Sequence, residues 1–143
     1  MRILTACWFT KLPASIAGIG ISRGVPNGRL SALRYPVLNP GSWFKSVQVD
    51  EYIRRYSAQL ADLDARRVVE DLEQLSSGRD CALLCWERPD DDDAWCHRGL
   101  VSAWLYEQLG MEVTEWGMEG FGWAHPKVPA QYRAQKYSST AQN

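Results

Sequence analysis

The sequence lacks the features that would assign the chain to a membrane, secreted or strongly charged class of protein. No run approaches the roughly 20 apolar residues that a membrane-spanning helix needs, so we expect no membrane partner. The first 22 residues lack the basic start, the long apolar run and the cleavage site of a signal peptide. The net charge is only −1 over 143 residues, which disfavours bulk electrostatic binding to nucleic acid but leaves room for a local basic groove. These absences together predict a cytoplasmic protein.

Cysteine is scarce, and its spacing is irregular. The chain contains four cysteines, Cys7, Cys81, Cys85 and Cys96. A cytoplasmic location predicts reduced thiols rather than disulfides. The close pairs that mark structural zinc sites are missing, and neighbouring Cys96 and His97 would point in different directions on a helix. We therefore predict no metal ligands, and a metal or haem site built from Cys85, Cys96, His97 and His125 is the minority alternative.

The length and the apolar pattern predict one α/β domain. A chain of 143 residues can bury about two-thirds of the surface that it exposes when unfolded. Strands are predicted at residues 2–9, 17–22, 81–86 and 111–116, and helices at 49–60, 63–75 and 97–109. Residues 81–86 are apolar on both faces, which is typical of a central strand covered by helices on either side. We expect a single three-layer domain over residues 1–136, with a mostly parallel central sheet flanked by helices, and a disordered polar tail at 137–143.

The segments around the predicted helices carry further signals. Asp50 is a plausible N-terminal cap of the first helix, and Asp62 or Asp64 of the second. Residues 29–46 are rich in proline, glycine and asparagine, with apolar side chains between them. A loop of this length is either a binding loop or lid, or an irregular connection anchored by its apolar side chains.

The most informative stretch joins the predicted central strand to the third helix. Cys85, Trp86 and Glu87 end the strand, an acidic loop follows, and Cys96, His97 and Arg98 open the helix. Ligand sites in open α/β sheets usually lie at the carboxyl ends of the strands, where each strand connects to the following helix. The sequence therefore predicts a site here, with Asp90 to Asp93 as a solvent-facing part of the loop.

Two arginines are candidate anion-binding residues. Arg98 at a helix start would add its guanidinium to free backbone N–H groups and the helix dipole. Arg23 follows the second predicted strand, between Ser22 and Gly24, where close approach to a ligand is permitted. The alternative for Arg98 is an ion pair with Glu87 or with the aspartates of the loop.

The remaining candidates concern chemistry and ligand contact. Cys96 at a helix start is a candidate nucleophile, with His97 as its partner, although a buried cysteine often serves only as a small apolar residue. Glu87 is a candidate general acid or base, a ligand-orienting acceptor, or an Arg98 partner. Among the seven tryptophans, Trp86, Trp95 and Trp123 fall near the site, where their rings could wall a pocket or stack on a base.

These residues resemble the domain-of-unknown-function family 488. The matching positions are Ile21, Ser22, Arg23 and Pro26, then Leu38, Asn39 and Pro40, then Glu51, Tyr52 and Tyr56, and finally Leu83 to Glu87 with Cys96, His97 and Arg98. Members of the family typically carry an LLCxE phrase that ends an apolar strand and a CHR triplet that starts a helix. The resemblance covers residues 17–115, and the loop at 88–95 is longer and more acidic here than in many relatives.

The resemblance implies a compact three-layer α/β domain with a site at Cys85, Glu87, Cys96, His97 and Arg98. It establishes no reaction, and enzymes that act on nucleotides or nucleic-acid bases are an analogy from fold and site type. We expect a small anionic, nucleotide-like ligand bound by Arg98, Arg23, Ser22, Trp86 and Cys85, with Cys96, His97 and Glu87 as catalytic candidates. The alternatives are a non-enzymatic nucleic-acid or protein interaction module and a Cys/His metal or haem protein. The sequence leaves the cofactor and the oligomeric state undetermined.

Overall fold

The computed structural model describes residues 1–91 and 94–134, so the predicted tail at 137–143 lies outside the described residues. The strands are β1 (Ile3–Cys7), β2 (Ile16–Gly20), β3 (Leu33–Arg34) and β4 (Asp80–Cys85), and the α-helices are α1 (Val49–Ala61), α2 (Ala65–Leu75) and α3 (His97–Leu109). Short 3₁₀ turns lie at Pro36–Leu38, Ser42–Lys45, Gly122–Ala124 and Ala130–Tyr132. Across the described residues, no helix combines the length and the apolar character needed to cross a bilayer.

The sheet is parallel throughout, and β4 lies inside it as predicted. The strand order is β1-β4-β2-β3, with Cys7 of β1 opposite Cys85 of β4 and Gly20 of β2 opposite Leu84. Because the three longer strands run the same way, their carboxyl ends meet at one edge of the sheet. The residues after Gly20 and after Cys85 are therefore neighbours in space.

All three helices bury their apolar stripes in one core. Their buried side chains pack with the sheet residues that point to the same side, among them Ile3, Ile19 and Leu83. The side chains of the opposite sheet face, such as Leu4 and Leu84, pack instead with loop residues. The predicted α/β domain with a parallel sheet flanked by helices is confirmed, and loop segments form the layer that faces away from the helices.

The structure confirms one of the two predicted N-terminal caps. The Asp64 side chain caps α2 by accepting from the backbone N–H groups of Arg66 and Arg67, and Gly110 ends α3 with a left-handed φ of 68°. The N-cap of α1 is Gln48, which makes no side-chain cap, and Asp50 lies in the first turn. The prediction of an Asp50 cap was therefore wrong. The negative charge of Asp50 near the N-terminus still interacts favourably with the helix dipole.

The predicted strand at residues 111–116 is reduced to one bridge on β1. Thr5 donates its backbone N–H to the Thr114 carbonyl (2.9 Å) and accepts from the Trp116 N–H (2.8 Å). Pairing stops there because the chain turns at once, with the Met118 N–H bonded to the Glu115 carbonyl (3.0 Å) and Gly117 at a φ of 75°. The alternating pattern correctly placed this segment beside the sheet but overestimated its pairing.

Asp64→Ala should destabilise the protein by about 1 kcal/mol, because two backbone N–H groups at the start of α2 lose their acceptor. Urea denaturation followed by circular dichroism measures the change. Asp62→Ala is the matched control, since Asp62 is the C-terminal boundary residue of α1 and should leave stability within about 0.5 kcal/mol. Equal effects of the two substitutions would show that the cap contributes nothing specific.

Candidate functional site

A cleft of about 580 Å³ opens at the carboxyl edge of the sheet. Its walls come from the residues after β2 and β4, the start of α3, α1, and the long loop after β3. The lining residues are Ser22, Arg23, Gly24, Pro40, Phe44, Lys45, Tyr52, Cys85, Trp86, Glu87, Trp95, Cys96 and His97. Of the eight residues that the sequence analysis assigned to the site, Arg98 is missing from this wall.

Two thiols and one imidazole form the innermost group of the cleft. The Nδ1 atom of His97 lies 3.6 Å from the Sγ atom of Cys85 and 3.6 Å from that of Cys96. The three potential ligand atoms all lie within 4.8 Å of one another, and all three residues are buried. The sulfur of Cys85 is also 3.6 Å from Oε2 of Glu87. The residues of the two predicted motifs therefore converge on one point.

Cys96 reaches this point because it precedes the helix. It is the N-cap of α3, with an extended backbone at φ −148° and ψ 149°, and its N–H donates to the Lys127 carbonyl at 3.0 Å. His97 is the first helical residue. The expectation that these neighbours point apart assumed helical geometry at both positions, and the extended conformation of Cys96 overturns it.

A main-chain carbonyl fixes the orientation of the His97 ring. Nε2 lies 2.8 Å from the carbonyl oxygen of Ile21, and a carbonyl can only accept, so Nε2 carries a proton. In the neutral ring Nδ1 then presents its lone pair to the two thiols. Tyr56 packs edge-on against the ring, with the centroids 5.4 Å apart. The imidazole is held with its reactive nitrogen facing both sulfurs.

The two thiols differ in acidity. Burial opposes ionisation of Cys96, but the hydrogen bond from Cys85 and the positive charges of His97 and Arg98 hold its pKa well below the usual thiol range. The pKa of Cys85 is raised by its hydrogen bond to Cys96 and by burial. Burial lowers the pKa of His97, yet the adjacent Cys96 charge raises it overall. The group favours a Cys96 thiolate with the proton on His97.

Glu87 is held in an environment that keeps its proton near neutral pH. Burial and the negative charge of Cys96 raise the pKa of its carboxyl to about 7. A carboxyl with a pKa near 7 can both give and take a proton at physiological pH. The position of Glu87 in the cleft wall thus agrees with the predicted acid or base, which remains a prediction.

Two cations line the cleft in contact with solvent. Arg23 and Lys45 are both exposed, and Arg23 donates from Nη1 to the Pro40 carbonyl at 3.2 Å. The buried Ser22 hydroxyl donates to the Gly24 carbonyl (2.6 Å) and accepts from Nε1 of Trp8 (2.9 Å). Ser22 therefore shapes the wall through internal bonds, whereas the positive charges face the cleft.

Aromatic rings complete the walls. Tyr52 meets Trp95 edge-on at a centroid distance of 4.6 Å, and Phe44 lies beside them in the lining. Trp86 is 41% exposed and is anchored by a hydrogen bond from Nε1 to the Gly24 carbonyl (3.2 Å). Trp123 lies outside the cleft wall and donates to Glu107 instead (3.2 Å).

The structure corrects the expected role of Arg98. Its side chain is fully buried, and it forms a two-point ion pair with Glu115, from Nε (2.8 Å) and from Nη2 (2.7 Å). Nη2 also donates to the backbone carbonyl of Glu87 at 2.7 Å, so among the described residues the ion pair is made with Glu115 and not with the predicted Glu87 carboxylate. A guanidinium engaged in this way inside the protein is a positioning group rather than a ligand contact.

A chain of hydrogen bonds extends from this ion pair. The Thr5 hydroxyl donates to Oε1 of Glu115 at 2.7 Å and lies 2.7 Å from Nε2 of His125. Nδ1 of His125 accepts from the Lys127 N–H at 2.9 Å, so the neutral ring donates from Nε2 to Thr5. His125, which the sequence analysis considered as a fourth metal ligand, is committed to this chain and not to the thiols.

Glu115 and Lys127 support the site, although neither was among the residues predicted from the sequence. Lys127 is buried, and its Nζ donates to the carbonyls of Asp91 (2.7 Å) and Ala94 (2.9 Å), which fixes the acidic loop. The sequence contains one indication of each. Glu115 lies on the same side of the alternating pattern as Val113, which indicates burial of Glu115. Gly99 is a glycine inside a helix, which indicates close packing at that position, and a Cβ atom on Gly99 would lie 2.5 Å from the Lys127 backbone.

The loop at 29–46 is anchored by apolar side chains and also lines the cleft, so a role as a binding loop stays a prediction. Its buried Tyr35 and Leu38 anchor it to the core, and Pro40, Phe44 and Lys45 line the cleft. The solvent-facing expectation for the aspartates holds at Asp90 and Asp91, which are exposed, while positions 92 and 93 lie outside the described residues.

A buried pair of thiols with a histidine, at the carboxyl edge of a parallel sheet, defines the chain as an α/β protein with a thiol-containing cleft. A family model described as the active DUF488-N3 subclade matches residues 13–109. The match covers well over half of the chain, so the protein belongs to the DUF488 family. No curated protein and no solved structure matches the chain. The matched region includes β2, β4, the whole of α3 and every cleft residue, but not Glu115 or His125.

The Arg98–Glu115 pair should show strong energetic coupling. Glu115→Gln should destabilise the protein by about 3–5 kcal/mol, because it leaves a buried guanidinium charge without a counterion. The double variant Glu115→Gln with Arg98→Met should lose less stability than the two single variants lose in total, by about 1–3 kcal/mol. Urea unfolding of the four proteins in the cycle measures the coupling.

The exposed Arg67–Asp71 pair, at 3.1 Å, provides the control cycle and should couple by no more than about 0.5 kcal/mol. A coupling of that small size for Arg98 and Glu115 would contradict a structural role for the buried pair.

His125 should make the protein sensitive to acid. Burial and the charge of Arg98 lower its pKa from 6.5 to about 3, so the unfolded chain takes up a proton that the native protein excludes. Its contribution to stability is complete above pH 6.5 and is lost as the pH falls toward 3. Between pH 6.5 and 3, the free energy of unfolding should fall by up to about 1.4 kcal/mol per pH unit because of this group.

His125→Asn should therefore be less stable at neutral pH but show a shallower decline between pH 6.5 and 3, measured by urea unfolding at each pH. Parallel curves for wild type and variant would mean that His125 does not remain neutral in the native protein.

Proposed function

We propose that this protein binds a small anionic, nucleotide-like ligand in the cleft and that the thiol, imidazole and carboxyl groups of the cleft act on it. The supporting observation is that one cleft contains two exposed cations, several aromatic rings and the group formed by Cys85, Cys96, His97 and Glu87. The link to enzymes that act on nucleotides or bases is an analogy from fold and site type.

The anionic part of the ligand pairs with Arg23 and Lys45. A guanidinium offers a rigid fork of N–H donors that suits phosphate, and a lysine adds a point charge. Gly24 adjoins Arg23 in the lining and lets the ligand approach the backbone closely. This assignment replaces Arg98 as the anion contact and keeps Arg23 in the role that the sequence analysis gave it.

The planar part of the ligand stacks on the aromatic wall. Trp86, Trp95, Phe44 and Tyr52 all line the cleft, and stacking of a base on an aromatic side chain contributes about 1–3 kcal/mol. Trp86 is the most accessible of these rings for such contact because 41% of its surface is exposed. A ligand that combines a ring with a phosphate uses both halves of the wall.

The chemistry belongs to the inner group. Cys96 supplies a thiolate, His97 holds the proton that the thiol gives up, and Glu87 transfers protons to or from the ligand at neutral pH. Acid–base catalysis needs a group that changes protonation near the working pH, which is the condition that burial creates at Glu87. The reacting atoms of the ligand lie against these side chains.

The binding test is titration calorimetry with a panel of nucleoside monophosphates and with inorganic phosphate. At least one nucleotide should bind at least about tenfold more tightly than phosphate, because stacking adds to the ionic contact. Arg23→Ala should weaken nucleotide binding by at least about tenfold through loss of the charge-assisted hydrogen bonds.

Arg66→Ala is the matched control, since Arg66 is exposed on α2 and outside the cleft lining. It should change the affinity by less than about twofold. Failure of every nucleotide to bind, or equal losses for Arg23→Ala and Arg66→Ala, would contradict the proposal. Binding that depends on oligonucleotide length and falls steeply with salt would point instead to a nucleic-acid interaction module.

A further inference from the structure

The inner group of the cleft has the composition of a soft-metal site. Cys85, Cys96 and His97 contribute two sulfurs and one imidazole nitrogen, all within 4.8 Å of one another. Thiolate and imidazole ligands select zinc and similar ions over magnesium or calcium, which prefer oxygen. We propose that Cys85 Sγ, Cys96 Sγ and His97 Nδ1 bind a zinc ion whose fourth position opens into the cleft.

The interatomic distances fit this proposal. In a tetrahedral zinc site, with zinc–sulfur and zinc–nitrogen bonds of about 2.3 and 2.0–2.1 Å, a sulfur and a nitrogen ligand lie about 3.5–3.6 Å apart. Both sulfur–nitrogen separations in the cleft are 3.6 Å. These two separations match a tetrahedral site, and the two sulfurs lie within 4.8 Å of each other, so small side-chain adjustments would suffice to bind the ion.

The surroundings of His97 support the same conclusion. Nε2 donates to the Ile21 carbonyl at 2.8 Å, which leaves Nδ1 as the free ligand atom of a neutral ring. Histidines that bind metals almost always direct their other nitrogen to a carbonyl, carboxylate or water in this way. Metal binding would release the proton that His97 otherwise shares with the thiols.

The number of ligands indicates the type of site. Structural zinc sites are closed by four protein ligands, whereas catalytic sites use three and leave one position for water or substrate. The three ligands line the cleft, and the Oε2 atom of Glu87 lies 3.6 Å from the Cys85 sulfur. A ligand bound at the fourth position would contact both the zinc ion and Glu87.

This inference does not need the nucleotide of the proposed function, but it refines the role of Cys96 there from a free thiolate to a metal ligand. The two are separable by mutation. Arg23→Ala should weaken nucleotide binding and keep zinc, while Cys85→Ser should weaken zinc binding and keep the cationic part of the cleft.

Protein purified under reducing conditions without chelator should contain about one zinc ion per chain by elemental analysis. After removal of the metal, cobalt titration should produce thiolate-to-cobalt charge-transfer absorption and the intense visible bands of tetrahedral cobalt. Cys85→Ser, Cys96→Ser and His97→Gln should each weaken zinc binding by more than the roughly 10–100-fold that loss of a supporting hydrogen bond costs.

Cys81→Ala is the matched control, because Cys81 is a buried thiol of the same strand that lies outside the cleft lining, and it should bind zinc like the wild type. Circular dichroism establishes that each variant is folded. Reduced, folded wild-type protein that takes up neither zinc nor cobalt would overturn the inference, as would equal zinc loss in Cys81→Ala. In either case, the nucleotide titration would remain an independent measurement.

Discussion

The buried ion pair between Arg98 and Glu115 is the interaction on which the geometry of the site depends. Both side chains are removed from water, at 0% and 1% exposure, so the charge of each is tolerable only because the other is present. Among the described residues, Nη1 of Arg98 has no hydrogen-bond partner, which adds to the cost of burying the group. A buried pair of this kind is better explained by its role in positioning than by a net gain in stability.

The positioning is direct. Arg98 lies one residue after His97 and donates to the backbone carbonyl of Glu87 at 2.7 Å, so it ties the first turn of α3 to the second residue after β4. Glu115 is tied through Thr5 to β1 and to His125. The two thiols and the imidazole are consequently set by a frame of charged and hydrogen-bonded groups behind them. The cleft residues themselves remain available for contact with a ligand.

Local patterns in the sequence were sufficient for much of the fold, and for the location of the site. The apolar run before Trp86 identified the inner strand, the helical pattern of residues 97–109 identified α3, and the carboxyl edge followed from parallel order. The partner of Arg98 was not predictable in this way, because it depends on tertiary packing with a segment 17 residues further along. The extended backbone of Cys96 was equally hidden, since one residue at a helix boundary decides whether two neighbours converge or diverge.

The acidic loop between β4 and α3 is held near both of its ends. The Arg98 guanidinium binds the carbonyl of Glu87 at one end, and the buried Lys127 ammonium binds the carbonyls of Asp91 and Ala94 toward the other. Both anchors bind main-chain oxygens, so they do not depend on which side chains the loop carries. Side-chain replacements between the anchors should therefore leave Cys85 and Cys96 in place. The side-chain composition of the loop and the geometry at the base of the cleft are in this sense independent of each other.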